Sequence, residues 1–188
     1  MNARSSTSSA KNFERTKSKL TLALASSLSS LCLFIPLACL SGSAVSEPDK
    51  SPPAFPQGYR SWVHVKSGVV DARAPHFARY GGVHHIYANA AALEGLRKGN
   101  YADGAVLVFD VLELKTIDGG SEEGARKLVD VMVRDASRFA ATGGWGYEEF
   151  VAGDLSKPVL DEAARTSCFN CHNRMKKSGY VFSVLRDL

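Results

Sequence analysis

Cys168-Phe169-Asn170-Cys171-His172 is the cluster whose residue types and spacing most clearly define a chemistry. On one helical turn, residues three apart share a face. Two thiols so placed can add to the two vinyl groups along one edge of a porphyrin, while His172, next in line, turns its imidazole under the iron. The pattern is that of covalent haem c attachment, with Cys168 and Cys171 as the thioether residues and His172 as the iron ligand. Two other chemistries compete. A structural zinc site needs four ligands, so one of His64, His76, His84 or His85 would have to join the three clustered here. A thioredoxin-like dithiol belongs early in a βαβ unit, and this pair lies close to the C-terminus.

The far side of the iron is the next question. Sixteen residues follow His172, and the methionine among them, Met175, is three positions along and cannot reach the opposite haem face. Met132 is an upstream candidate, but it sits in an apolar strand pattern that is better explained as core. The sixth position is therefore expected to be open or filled by water, which implies small-ligand chemistry. A His/Met electron-transfer cytochrome with Met132 as sixth ligand is the alternative. Trp62 and Trp145 read as core aromatics.

These residues need a scaffold, and the first part of the chain does not supply it. Lys11, Arg15, Lys17 and Lys19 precede a nearly uncharged apolar run, Leu20 to Leu40, and then the small residues Gly42, Ser43 and Ala44. This is the pattern of an export signal over residues 1–46. It implies a periplasmic location, which suits haem attachment outside the cytoplasm, and membrane association only if the leader stays uncleaved. Cys39 preceded by Pro36 fits a lipoprotein signal poorly.

Residues 1–46 hold five basic residues and one acid, so of the 23 basic and 19 acidic residues in the chain eighteen of each remain. The remainder is neutral overall, and the basic character of the whole chain gives no support for a nucleic-acid partner. Cys32 and Cys39 fall in the leader, which leaves Cys168 and Cys171 without a disulfide framework around them.

Residues 47–58, with Pro48, Pro52, Pro53, Pro56 and Gly58, read as a proline-rich linker, and residues 59–188 as one domain. Trp62-Val63-His64-Val65 and His84 to Tyr87 are β-like, and Ala90 to Lys98 is a short helix closed by Gly99 and Asn100. Asp103-Gly104 opens the strongest strand, through Ile117. Gly119, Gly120 and Gly124 are expected to form a loop before a β-rich run, Lys127 to Val133. Gly143-Gly144 leads into a last strand, Trp145 to Val151, and Asp161 to Thr166 has the composition of a helix running into the cysteines. The fold class is α+β, a mostly antiparallel sheet with a few short helices.

Read outward from the haem motif, the chain resembles the cytochrome P-460 family, which includes the cytochromes c′-beta. The matching segments are Tyr59-Arg60-Ser61-Trp62, His85-Ile86-Tyr87-Ala88-Asn89, and Tyr101-Ala102-Asp103-Gly104-Ala105-Val106-Leu107-Val108. They continue with Val131-Met132-Val133-Arg134-Asp135, Arg138-Phe139, Gly143-Gly144-Trp145, the haem motif, and Tyr180-Val181-Phe182-Ser183. The resemblance implies a homodimer holding five-coordinate haem c and served by a soluble electron-transfer partner. Members named for the family oxidise hydroxylamine, and the c′-beta members bind nitric oxide and related nitrogen oxides. The enzymes carry a lysine that cross-links to the haem edge; its position here corresponds to Phe109, which cannot form that bond.

An aromatic cap at Phe109 would make an apolar pocket suited to a neutral diatomic ligand. A basic residue in the distal pocket of the enzymes aligns with His84. His84 or His85 could hydrogen-bond a ligand or relay protons, but strand neighbours point to opposite faces, so at most one faces the pocket. Asp110, Glu113, Glu148 and Glu149 are further proton acceptors. By the same alternation Asp110 turns away if Phe109 caps the haem.

Overall fold

The computed structural model describes Asp49 and residues 51–186; the expected leader, with Cys32 and Cys39, lies outside the described residues. Five strands follow one another as an antiparallel meander: β1 (Val63–Val70), β2 (Gly82–Ala88), β3 (Val106–Ile117), β4 (Gly120–Arg134) and β5 (Trp145–Val151), paired in that order. Among the described residues, α1 (Phe77–Tyr80) and α2 (Ala90–Lys98) lie between strands, and α3 (Glu162–Asn173) follows β5. This is the α+β arrangement that the alternating apolar runs predict.

The register sets the two faces. Ile86 on β2 faces Phe109 on β3, which faces Asp130 on β4, which faces Glu149 on β5. The next row is Ala88, Leu107, Met132 and Tyr147. These rows share one side of the sheet. That side packs against α2, Tyr101, Trp145 and Val181 of the segment after α3.

On the other side Tyr59, Val108, Val129, Val131 and Phe150 form a separate core. Phe55 closes it, edge-on to Tyr59 at 5.8 Å and to Phe150 at 5.2 Å between ring centroids. Residues 51–58 of the proline-rich segment carry no helix or strand, yet Pro53 is buried and Phe55 is anchored, so these residues are packed rather than free.

Asp110 is fully buried on that side, with bonds from Tyr59 Oη at 2.7 Å, Arg60 Nε at 3.0 Å and Arg126 Nε at 2.8 Å. Burial pushes its carboxyl up, but the bonds and charges of Arg126, Tyr59 and Arg60 outweigh burial and hold it below the ordinary value. Asp110 thus fastens the start of the domain to β3 and β4.

The structure corrects one expectation. The glycine-rich loop contracts to a turn at Asp118-Gly119, and β4 starts at Gly120, well before Lys127. Gly124 lies inside the strand opposite two register shifts in β3, where an added Cβ would come within 2.8 Å of Glu113 Cβ. It marks a close approach at a bulge, not a break in pairing.

Candidate haem-binding site

Helix α3 carries the cysteine motif. Asp161 caps it by accepting from Ala164 N–H at 2.8 Å, and Glu162 adds negative charge to the first turn, where the helix dipole favours it. Cys168 is half-buried against the sheet-side core and Cys171 is exposed. Burial first, then the negative charge of Asp130, pushes the Cys168 thiol up to about 11.

The imidazole of His172 is held from three sides. Nδ1 donates to the carbonyl of Tyr180 at 2.8 Å, and the ring lies 5.1 Å from those of Tyr147 and Phe182. With the proton on Nδ1, the lone pair of Nε2 is left for a metal, the arrangement that fixes tautomer and orientation in histidine ligands. Burial lowers the pKa of His172, with partial opposition from the bond to Tyr180, so the ring is neutral at neutral pH. The carbonyl is delivered by a strained turn: Gly179 and Tyr180 both have positive φ, 65° and 69°, and Tyr180 is the one non-glycine residue in that region among those described.

A cavity of about 550 Å³ opens between α3, the C-terminal tail and the sheet. Cys168, Cys171, His172 and Phe182 border it on one side. From the sheet, Phe109 and His84 enter together, their rings stacked at 4.6 Å and 28°. His84 lies across Gly68, whose missing side chain makes room: a Cβ there would sit 2.6 Å from the ring. Burial, then the positive charge of Lys66, lowers the pKa of His84, which keeps the ring neutral, and its Nδ1 is buried without a partner.

The strand pleat separates the two histidines. His85 points to the other face, with Nδ1 2.7 Å from Ser67 Oγ and Nε2 2.7 Å from Glu123. It is thereby removed from the ligand pocket. Asp110 is likewise turned away, as alternation requires. Glu148 spends its acceptors on the N–H groups of Glu149, Val159 and Leu160 and on Arg165, tying β5 to the approach of α3.

Asp130 was not visible as a site residue in the sequence. Its one signal is that it is the lone charge in the run Leu128-Val129-Asp130-Val131-Met132. It opens onto the cavity, and burial together with the nearby Glu149 carboxylate raises its pKa well above the ordinary value. Tyr80 of α1, also at the cavity and edge-on to Phe109 at 5.9 Å, was missed as well.

These residues fit a haem. The cavity has the size of a large-ligand site, two thiols stand on one helix at its rim, and a neutral imidazole has a free Nε2 beside it. Tyr147 Oη and His84 Nδ1 are buried at the cavity with no protein partner, as at a site built around another molecule. Fold and site together define a haem protein of the c type. The family model for Cytochrome P460 matches residues 56–183, and the chain belongs to that family. No curated protein matches the chain.

Proposed function

We propose that this protein holds one haem c through thioethers to Cys168 and Cys171, with His172 Nε2 as axial ligand, and binds nitric oxide or a related nitrogen oxide at the open iron position. When bound, the haem supplies a redox-active iron with a vacant coordination site. The observation that carries the reading is the wall made by Phe109, stacked under His84 and capped edge-on by Tyr80. Such a wall excludes water and suits a neutral diatomic, while neutral His84 offers one hydrogen-bonding group.

Met132 lies beside Tyr147 in the register, and Tyr147 packs on His172, so Met132 stands in the row next to the axial imidazole instead of across from it. This favours an open position over a His/Met carrier. The export pattern of the leader agrees with a periplasmic site of haem attachment.

The test is the absorption spectrum of ferrous holoprotein with and without nitric oxide. The expected result is a high-spin ferrous spectrum that shifts on adding the gas. A six-coordinate low-spin ferrous haem indifferent to it overturns the reading. Hydroxylamine oxidation is the second reading, supported by Asp130, a carboxyl at the cavity able to exchange protons with a polar substrate. Turnover of hydroxylamine with a one-electron acceptor supports it; inactivity with intact haem removes it.

A further inference from the structure

Asp130 does not stand alone. It faces Glu149 directly across the β4–β5 ladder, so the two side chains are neighbours on one face of the sheet. Neighbouring carboxylates disfavour each other's ionised form, and burial together with Glu149 raises the pKa of Asp130 well above the ordinary value. Glu149 is 4% exposed and is clamped from outside by Arg79, Nη2 at 2.7 Å and Nε at 2.9 Å from Oε2. Arg79 thus contacts the pair from the Glu149 side, and Asp130 is the member that opens onto the cavity. The Arg79 side chain is 49% exposed, so the row Arg79, Glu149, Asp130 runs from solvent to the cavity wall.

We infer that Asp130 and Glu149 form a carboxyl pair whose shared proton is released when the iron loses an electron and regained when the iron is reduced. The inference rests on the haem reading above. On oxidation one electron passes to a one-electron acceptor and one proton leaves the pair for solvent; on reduction both return. A positive charge gained beside the pair favours its doubly ionised form, which is the physical source of the coupling.

The groups facing Asp130 are Arg79 and Tyr80 from α1, Glu149 from β5 and Cys168 from α3. Lys66, His76 and His84 line the same cavity and are the competing charge carriers, together with the haem propionates.

The midpoint potential of the holoprotein, measured by spectroelectrochemistry across a pH series, tests this. The wild-type potential is expected to fall as pH rises, with a limiting slope of about 59 mV per tenfold change in proton concentration for one proton per electron. Asp130→Asn and Glu149→Gln should flatten that slope and leave the haem spectrum unchanged. Arg79→Leu should move the sloping window to higher pH, since the cation that opposes the rise in the Asp130 pKa is lost.

A pH-independent wild-type potential overturns the inference, as does a slope retained in both carboxyl variants, which assigns the proton to a histidine or a propionate. If Asp130→Asn fails to load haem, Glu149→Gln decides. A colourless wild-type protein fails the haem reading itself and is distinguishable from either result.

Discussion

Phe109 makes the clearest single-residue statement about ligand choice. Replacing it with alanine removes the face on which His84 stacks and opens the cavity to water. Phe109→Ala is expected to leave haem attachment intact, weaken discrimination for nitric oxide over polar ligands, and cost up to about 3 kcal/mol of stability. Gas-binding titrations and urea unfolding of the same preparation measure both effects. His172→Ala should lose the axial ligand and shift the ferric spectrum while the thioethers remain, which mass analysis of the denatured chain reports. The cysteines and His172 were legible because their spacing is itself a chemical requirement, and strand alternation was enough to place Phe109 and Asp110 on opposite sides. Asp130 escaped because its meaning depends on Glu149, and their pairing is a matter of register between two strands that neither strand's sequence states.

Among the elements, α3 depends on few attachments to the sheet. Arg165 reaches Glu148 at 2.6 Å, and the same carboxylate accepts from the N–H groups of Val159 and Leu160. Glu148→Leu leaves those donors unpaired, and a buried unpaired donor costs roughly 1–3 kcal/mol. A lowered unfolding midpoint is expected, with a reduced fraction of chains carrying haem. The Asp161 cap is worth about 1 kcal/mol, and Asp161→Ala should act in the same direction more weakly. Helix α2 was readable at its C-terminal end because Gly99 is a strong stop signal and serves as the cap there; Asn89, which caps the start, was not singled out as a cap in the sequence. Helix α1 was not, since four residues between Pro75 and Gly81 are too few to show a period. At Gly124 the glycine relieves a contact with a side chain on the neighbouring strand, which local sequence cannot distinguish from a loop.

For the molecule as a whole, two carboxyls on opposite faces of the sheet pull stability in opposite directions with pH. Asp110 is held below its ordinary pKa, so its contribution is present above the usual carboxylate range and is lost as pH falls through the lowered value. Asp130 is held above it, so its contribution is present in acid and is lost as pH rises through the raised value. The haem-free chain should therefore be most stable at intermediate pH, and Asp130→Asn should abolish the loss on the alkaline flank alone. Urea midpoints across a pH series measure this.

The placement of α3 and the tail beyond the last strand has a consequence for how such a protein can change. On the proposed haem reading, the residues that would fasten the cofactor occupy one continuous stretch, residues 161–183, whereas those that would face an incoming ligand are spread over the pleats of the meander. On that reading, an exchange at one pleat of β2, β3 or β4 would retune reactivity without disturbing the fastening, and a single outward-to-inward position on a strand would be enough to give the iron a new task.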